Sequence, residues 1–564
     1  MRCCLTQQNR TKNFGQTMRV VVFISGFFFL FILVQRVMIP QWNYPQTVEN
    51  TTRTISDIYR QKQDSVEVVF LGPSTSVSGI SPLKLYNDEH IISYNFATSG
   101  QDIFISYYLL EELIKYQAPK VVVLEICPNM FGSIPSLNNV AWRQVMDSMP
   151  FSSNKLEFAK AYMEYCENPD DLVSIIFPIC KYHSRWKELE PDDFRNKDIL
   201  YCNYGFKMSS QISPSLNTVE EMNSLAKEME LDSIESTYIN NQGTISYEEN
   251  ENSLYDVNID QIRIDYLKRI KDLCENNDIE LLTFSMPANN LPSINSRAWT
   301  VQRYNAVKET TAAIDIKYID LLYDVQLQYD WGKDTQDGGA HVNILGAEKT
   351  TAFLGRYLKE NYLLTEGYDI QREYDKKVYS KVREVARLQM ESDFTYYIEE
   401  MSKQDKNKVF FVVGKDEWTN GISEFEQNIF QKIGLRTDIK NNYRSSYIAI
   451  IENGNAVFEK CSNRETETEY YLENEDKVEL MSCGFLCGSD CSIKINEKEY
   501  ALKNRGLNIV VYDKETQQVI DTVSFDTSME EHVVNRDATN KEEELRSYEL
   551  YWENNPLTTV NRSY

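Results

Sequence analysis

Residues 66–79 read VEVVFLGPSTSVSG, an apolar run that ends at Gly72 and passes into a series of hydroxyl-bearing residues. A short apolar run bounded by a turn residue is typical of a strand that is buried on both faces. Ser74 follows this predicted strand directly, where the chain would turn into a helix. A serine there is usually only a helix cap. Backbone N–H groups at such a turn can also stabilise an oxyanion, so Ser74 is a candidate nucleophile.

The same pattern recurs along the chain. Further buried strands are predicted at 120–126 (KVVVLEI), 280–286 (ELLTFSM) and 316–321 (IKYIDL). Stretches with helical periodicity alternate with them at 103–116, 259–276, 301–313 and 347–358. This alternation predicts an α/β fold, in which helices cover both faces of a parallel sheet. Between about 131 and 258 the alternation is interrupted, and we predict a helical insertion that covers the active-site edge.

Two further loops are predicted at the edge where Ser74 lies, because ligands bind beyond the carboxyl ends of parallel strands. The loop at 95–101 reads NFATSGQ, and Gly100 would allow the backbone to approach a reacting carbonyl closely. The loop at 334–343 reads DTQDGGAHVN and carries both carboxylates and an imidazole. Its His341 is one of only four histidines in the chain. Each loop alone is usually an ordinary turn, but the three in this order predict a catalytic site.

Residues 64–362 resemble the SGNH/GDSL hydrolase superfamily, and look most similar to its membrane-anchored branches related to the D-alanine transfer protein of teichoic acids and to alginate O-acetylation proteins. The resemblance implies a three-layer, flavodoxin-like domain. It implies that Ser74 in FLGPSTS is the nucleophile and that Gly100 in NFATSGQ belongs to the oxyanion hole. It also implies that His341 deprotonates Ser74 and that Asp337 orients His341.

The sequence departs from the family pattern at two places. The family spaces its last Asp and His as D-x-x-H, whereas Asp337 and His341 stand as D-x-x-x-H, so Asp334 is a rival for the orienting role. The family's third block supplies an oxyanion-hole Asn, for which Asn129 in VVVLEICPNMF is the candidate. Loss of such a donor typically costs about 10² to 10³ in rate. Asn343 is a candidate substrate-binding residue, and neither a cofactor nor a metal ion is expected.

The N-terminal segment is strongly apolar. Thirteen of the fifteen residues at 20–34 are Val, Phe, Ile or Leu, and such a run contributes roughly −4 to −8 kcal/mol to membrane insertion. We predict a transmembrane anchor at 18–39, a cytoplasmic tail at 1–17 and a polar stalk at 40–63, with the bulk of the chain outside the cell. The orientation follows from the positive-inside rule, because basic residues precede the run. These residues are Arg2, Arg10, Lys12 and Arg19. A cleaved signal peptide is the alternative, although no A-x-A-like site follows.

The C-terminal third has a different pattern. We predict a helical connector at 363–405, a β-rich domain at 406–527 that folds on its own, and a charged, weakly ordered tail at 528–564. Pieces such as VVGKDEW and RGLNIVV resemble the interleukin-like EMT inducer domain, a module that acts as a lectin in the stem of a glycosyltransferase. Their order differs from the family's, which implies a circular permutation or a looser relative. The resemblance implies sugar binding, and a purely structural β domain is the alternative.

Charge and cysteine content limit the partners. The net charge of −26 argues against nucleic acid as a ligand. The run CGFLCGSDC has no C-x-x-C pair and no neighbouring His, so a disulfide is favoured over a zinc site.

Taken together, the residues and the resemblance predict a membrane-anchored extracytoplasmic serine esterase or O-acyltransferase. Its substrate would be acyl groups of a cell-surface polysaccharide or cell-wall glycan, and a membrane acyl-donor protein is a candidate partner. The alternative is a catalytically degenerate scaffold that binds glycan or assists assembly.

Overall fold

The protein consists of an N-terminal apolar helix, an α/β domain, and a β sandwich covered by helices. The computed structural model describes residues 2–40, 42, 51–127, 130, 139–166, 169–189, 191–194, 203–213, 260–287, 306–321 and 327–555. Helix α1 spans Arg2–Met38. Its part Met18–Met38, with a mean hydropathy of 2.4 over the most apolar stretch, is the one helix in the described residues that is long and apolar enough to cross a membrane.

A parallel sheet of five strands forms the centre of the α/β domain. Its strands are β1 (Val68–Leu71), β2 (Ser93–Asn95), β3 (Val121–Glu125), β4 (Glu280–Ser285) and β5 (Lys317–Asp320). They pair in the order β2-β1-β3-β4-β5, and every pair is parallel. This is the flavodoxin-like order, whose topological switch point lies between β1 and β3. Every residue of β1 and β3 is buried, which explains their almost uninterrupted apolar sequences.

Helices cover both faces of the sheet, and the predicted three-layer α/β fold is confirmed. The helices of this domain are α2 (Thr51–Ile58), α3 (Ser74–Gly79), α4 (Pro82–Glu89), α5 (Ile103–Leu113), α6 (Asn139–Ser148), α7 (Ser153–Tyr165), α8 (Leu172–Ile176), α9 (Ile179–Tyr182), α10 (Gln261–Glu275), α11 (306–313) and α12 (Ile344–Asn361). Helices α3, α4 and α12 pack together on one face, while α5 and α10 pack together on the other.

The predicted insertion after β3 contains helices α6 to α9. Two 3₁₀ turns, His183–Lys187 and Pro191–Phe194, follow them. The segment 203–213 returns along the edge of the sheet, where the backbone N–H of Asn95 donates to the carbonyl of Tyr204 at 3.0 Å. Much of the remaining predicted insertion, including 214–258, lies outside the described residues.

Two local features of this domain were not predicted. Strand β2 has only three residues, which is too short for a periodic pattern to identify. Helix α2 lies in the predicted stalk, but Ile55 and Ile58 on it are buried in the domain core. The two isoleucines are three residues apart and therefore share a helix face, which the polar composition of the segment concealed.

The C-terminal region is a sandwich of two antiparallel sheets. Its strands are β6 (Lys408–Lys415), β7 (Ser446–Glu452), β8 (Asn455–Ser462), β9 (Thr466–Tyr471), β10 (Lys477–Cys483), β11 (Asp490–Ile495), β12 (Lys498–Glu499), β13 (Gly506–Asp513), β14 (Gln518–Asp526) and β15 (Val533–Asn535). The larger sheet has the order β15-β14-β13-β6-β7-β8 and the smaller has the order β12-β11-β10-β9. Phe411 and Val413 of the larger sheet share a core with Leu480 and Ile493 of the smaller sheet. A disulfide joins Cys483 to Cys487.

Helices pack on the outer face of the larger sheet. They are α13 (Ile370–Met390), α14 (Phe394–Met401), α15 (Glu424–Ile433) and α16 (Ala538–Asn554), and 3₁₀ turns lie at Ile439–Asn441 and Phe485–Cys487. The ring of Tyr397 on α14 lies 5.2 Å from that of Phe525 on β14. Helix α13 contacts α4 of the first domain as well as β14 and α16. The sandwich and the α/β domain therefore share this helical layer.

The prediction of a weakly ordered tail at 528–564 is wrong over most of this range. The segment contains strand β15 and helix α16, and only 556–564 lies outside the described residues. Leu545, Tyr548 and Trp552 on α16 are buried and lie at helical spacing. These apolar positions stabilise the helix, although charged residues dominate the composition of the segment.

Candidate active site

The turn that carries Ser74 joins β1 to α3. Ser74 is the first residue of α3 and is half-buried, so its hydroxyl lies at the carboxyl edge of the sheet, beside the switch point. Gly72 precedes it at a close approach between two loops. A Cβ atom at Gly72 would lie 2.7 Å from both Cβ of Glu125 and Oγ of Ser76. Glycine therefore allows the end of β3 to lie directly against the turn.

The structure brings Ser74, His341 and Asp337 together in one chain of hydrogen bonds. Nε2 of His341 lies 2.8 Å from Oγ of Ser74. Nδ1 of the same ring lies 2.5 Å from Oδ2 of Asp337. With the proton on Nδ1, this nitrogen donates to Asp337, and Nε2 is left to accept the hydroxyl proton of Ser74. The arrangement matches the nucleophile, base and orienting carboxylate of a serine hydrolase.

The loop before α12 explains how the D-x-x-x-H spacing still places the carboxylate on the imidazole. Gly338 and Gly339 have φ values of 81° and 101°, in the region that favours glycine. They turn the chain so that the backbone N–H of His341 donates to Oδ1 of Asp337 at 2.7 Å. An isolated antiparallel bridge between Thr335 and Val342 closes the loop. Asp337 thus fixes both the backbone and the ring of His341.

Electrostatics favour an ionised Asp337. Partial burial opposes ionisation, but the hydrogen bonds from the His341 ring and backbone outweigh it and lower the pKa of Asp337. A carboxylate that stays charged can stabilise the positive charge that His341 acquires when it takes a proton.

Asp334, the rival for the orienting role, lies in a different environment. Its carboxylate forms an ion pair with Lys349 at 2.6 Å and accepts the backbone N–H of Asp330 at 2.7 Å. The side chain is buried and serves to hold the loop onto α12. The structure therefore pairs His341 with Asp337 and not with Asp334.

The side chain of Asn343, the predicted substrate-binding residue, is occupied by contacts inside the protein. Asn343 is buried and caps the N-terminus of α12, where its Oδ1 accepts the backbone N–H groups of Leu345 and Gly346. Its amide Nδ2 donates to three backbone carbonyls, which are those of Gln211, Lys333 and Thr335. The side chain is fully used inside the protein because a helix N-terminus needs acceptors for its first N–H groups.

Gly100 lies in a turn beside Ser74, and its oxyanion-hole role stays a prediction. Gly100 is exposed and has a φ of 69°. The two loops are tied together because the backbone N–H of Thr98 donates to the carbonyl of Gly72 at 3.2 Å. The same N–H also donates to Oε1 of Gln101 at 2.9 Å. The other oxyanion candidate, Asn129, lies outside the described residues.

Asn95, at the end of β2, holds helix α3 in place. Its buried amide donates to the carbonyls of Ser76 and Ile80 at 2.8 and 3.0 Å. The sequence signal was available, because this Asn begins the block that contains Gly100. Its function here is to position α3.

Glu125, at the carboxyl end of β3, is a site residue that the sequence analysis missed. It is buried, and its two carboxylate oxygens accept the hydroxyls of Thr75 at 2.6 Å and Ser76 at 2.5 Å. Burial raises the pKa of Glu125 to about 7, against the opposing effects of these hydrogen bonds and of His341. A glutamate at the end of the apolar run VVVLE was the signal, because Glu is almost never fully buried unless it is paired.

The insertion also contacts this edge of the sheet. Nε1 of Trp142 on α6 donates to Oδ2 of Asp102 at 2.8 Å. Asp102 is the N-cap of α5 and follows the Gly100 turn after one residue, Gln101. A helix of the insertion therefore supports the end of the candidate oxyanion loop.

Comparison with known proteins gives the following results. No family model matches the chain, and no curated protein matches it. Among solved structures, a GDSL-like lipase from Bacteroides thetaiotaomicron is 11% identical, with a TM-score of 0.27, over 56% of this chain and 98% of that chain. A lipase/acylhydrolase from Enterococcus faecalis is 12% identical, with a TM-score of 0.24, over 54% of this chain and 100% of that chain. At such low identities and TM-scores these likenesses say nothing about activity, and the assignment of the site depends on its own geometry.

Proposed function

We propose that this protein is a membrane-anchored, extracytoplasmic serine esterase or O-acyltransferase that works through an acyl-Ser74 intermediate. The observation that carries the proposal is the continuous hydrogen-bonded chain from Ser74 through His341 to Asp337. An unassisted serine hydroxyl is a poor nucleophile near neutral pH, and a neighbouring base is what activates it.

The first half of the proposed reaction acylates Ser74. Oγ attacks the acyl carbonyl carbon while Nε2 of His341 takes the hydroxyl proton. The carbonyl oxygen becomes an oxyanion, for which the backbone at Gly100 is the proposed partner. When the intermediate collapses, the bond from the acyl carbon to the alcohol oxygen breaks, and His341 returns its proton to that oxygen. Asp337 stays ionised throughout and supports the imidazolium.

The second half reverses these steps with a new hydroxyl group. Water or a sugar hydroxyl gives its proton to His341 and attacks the carbonyl carbon of the acyl-serine. The bond from that carbon to Oγ of Ser74 then breaks, and His341 returns the proton to Oγ. Water as the acceptor gives an esterase, and a sugar hydroxyl gives an O-acyltransferase. We propose acyl groups on a cell-surface polysaccharide or cell-wall glycan as the substrate class, in keeping with an anchor at Met18–Met38 that would hold the site outside the membrane.

A sugar-binding role for the β sandwich is part of the same proposal. Tyr443 and Phe485 are each 52% exposed, and the guanidinium of Arg444 lies 4.2 Å from the centroid of the Phe485 ring. Exposed aromatic rings of this kind can pack against a sugar, so we propose this surface as the sugar-binding site. Tyr443→Ala and Phe485→Ala should abolish glycan-array binding by the full chain. An array with no wild-type binding would remove the role.

The catalytic proposal is tested with the full-length protein and a simple acetyl ester. The wild type should release acetate, and Ser74→Ala should reduce the rate by at least about 10³-fold, in line with losses of triad members elsewhere. Ser78→Ala is a matched control, because Ser78 lies on the same short helix and its hydroxyl donates only within that helix. The assay is then repeated with acetylated and with deacetylated polysaccharide. Release of acetate from the acetylated form indicates hydrolysis, and acetylation of the deacetylated form indicates transfer. Full activity in Ser74→Ala would refute the proposal.

A further inference from the structure

The C-terminal part of helix α1 packs against the insertion within the apolar stretch Met18–Met38. The ring of Phe31 on α1 lies 5.9 Å from the ring of Phe177, at the end of α8. Phe31 precedes Met38, the last residue of the helix, by about 10 Å along the helix axis. The apolar part of the helix is 21 residues long, which corresponds to about 31 Å and matches the roughly 30 Å hydrocarbon core of a bilayer. If Met18–Met38 crosses the membrane, Phe177 is below the outer boundary of the hydrocarbon.

A second contact fixes this arrangement at the end of the helix. The guanidinium of Arg185 donates to the carbonyls of Met38 at 2.9 Å and Val37 at 3.4 Å, and it pairs with Asp193 at 2.8 Å. A cation at a helix C-terminus satisfies its unpaired carbonyls and complements the helix dipole. The insertion is therefore attached directly to the end of α1.

Five exposed apolar side chains lie on or at the ends of the short helices and 3₁₀ turns that make these two contacts. We refer to the five as the membrane seat, and with their exposed fractions they are Leu172 (36%), Val173 (56%), Phe177 (41%), Trp186 (63%) and Phe194 (65%). Their exposure to water is unfavourable, because apolar surface is stabilised by removal from water. Aromatic rings, Trp above all, are enriched where proteins meet the interface between lipid and water. Lys187, whose Nζ lies 5.5 Å from the centroid of the Trp186 ring, can reach lipid phosphates from this position.

We propose that the membrane seat inserts into the outer leaflet of the membrane that α1 crosses, with lipid acyl chains and ester groups as its partner. This inference depends on the proposed anchoring. Buried polar contacts join the seat to the site. Arg143 donates to the carbonyl of Ser174 at 2.7 Å, and Tyr182 donates to Asp147 at 2.5 Å, on the helix that carries Trp142. The seat thereby sets the height of the Gly100 turn above the lipid.

The test measures the depth of Trp186 in vesicles that contain the full-length protein. Phosphatidylcholine with bromine atoms on its acyl chains quenches only those Trp residues that enter the membrane. Brominated lipid should quench part of the wild-type emission, and Trp186→Phe should lose most of that quenchable part. Trp331→Phe is the control, since Trp331 lies on the loop before His341 and should leave the quenchable part unchanged. Urea unfolding of Trp186→Phe should have the same midpoint as that of the wild type, which shows that the variant is folded.

The contrary outcomes separate the two proposals. If the protein floats with the vesicles but wild type and Trp186→Phe are quenched equally, the membrane seat is refuted and the anchor stands. If the full chain does not float with vesicles at all, the anchor and the seat are both refuted.

Discussion

The carboxylate of Asp337 holds His341 at two points, through Nδ1 of the ring at 2.5 Å and through the backbone N–H at 2.7 Å. The turn that carries both residues therefore sets the direction of the imidazole. The carbonyl of Ser213 holds that turn, since it accepts the backbone N–H of Gly338 at 3.1 Å. Ser74 is 267 residues away in sequence and meets the imidazole only because α3 begins at the same edge of the sheet. The catalytic proposal thus depends on one turn and one strand end.

The two acidic residues of this loop should have separable effects. Asp337→Asn should lower kcat by about 10² to 10⁴, because the amide no longer supports the imidazolium and favours the wrong tautomer. Asp334→Asn should leave kcat nearly unchanged but lower the free energy of unfolding by about 1–3 kcal/mol, since it breaks the buried contact with Lys349. Ester kinetics and urea unfolding of both variants measure this. A larger loss of kcat in Asp334→Asn than in Asp337→Asn would show that Asp334 is the residue that orients His341.

Glu125 should make stability depend on pH. Its pKa is about 7 in the folded protein, against an ordinary value of 4.5. The unfolded chain therefore ionises first as the pH rises, and the free energy of unfolding falls between these two pH values, by about 3 kcal/mol in all. Glu125→Gln removes this contribution, so the stability of the variant relative to wild type should rise over the same interval and then stay constant. Urea unfolding of both proteins at a series of pH values measures the difference.

Other buried carboxyls do not obscure that comparison. Burial also raises the pKa values of Asp102 and, to about 8, Glu544, but both groups are present in the two proteins and cancel in the difference. A stability difference that stays constant between pH 4.5 and about pH 7 would contradict the role given to Glu125.

The Glu125→Gln variant should also lose about tenfold in kcat, because glutamine offers one acceptor oxygen to the two hydroxyls of Thr75 and Ser76.

The β sandwich should need its helical layer in order to fold. Ile520, Val523 and Phe525 of β14 are buried in the same core as α13 and α14. A fragment of residues 406–527 would expose them, contrary to the sequence-based expectation that it folds alone. Residues 363–555 should unfold cooperatively, whereas 406–527 should not. Cooperative unfolding of the shorter fragment would show that the sandwich does not need these helices in order to fold.

The orientation of the anchor gives a further prediction. Protease added to intact cells should remove the α/β domain and the sandwich and leave a fragment that contains α1. The reason is the excess of basic residues before Met18, which favours a cytoplasmic N-terminus. Immunoblotting with tags at both ends follows the two termini. If the protease removes the N-terminal tag from intact cells but not the C-terminal tag, the orientation is the opposite of the one predicted.

The main features of the α/β domain could be predicted because parallel strands buried on both faces leave apolar runs. Ser74 and His341, which the structure places within hydrogen-bonding distance, could be chosen as candidates because they lie in loops at the carboxyl edge of such a sheet. The pairing of His341 with Asp337 rather than Asp334 could not be read from the sequence, because it depends on the turn made by Gly338 and Gly339.

What the sequence did not reveal depends on contacts between distant segments. Helices α2 and α16 have polar or charged compositions, and their few apolar positions become significant only when another element covers them. Asn343 looks like a site residue in sequence, but its side chain caps α12. Glu125 could have been noticed as a carboxylate at the end of an apolar strand, but its partners Thr75 and Ser76 are 50 and 49 residues away.

The most direct test of the central claim is covalent labelling of the full-length protein with a fluorophosphonate, followed by intact mass and peptide mapping. We expect one adduct, located on Ser74 and strongly reduced in His341→Ala, because the hydroxyl needs the imidazole to become nucleophilic. An absence of labelling in the wild type, an adduct on another serine, or undiminished labelling in His341→Ala would contradict it.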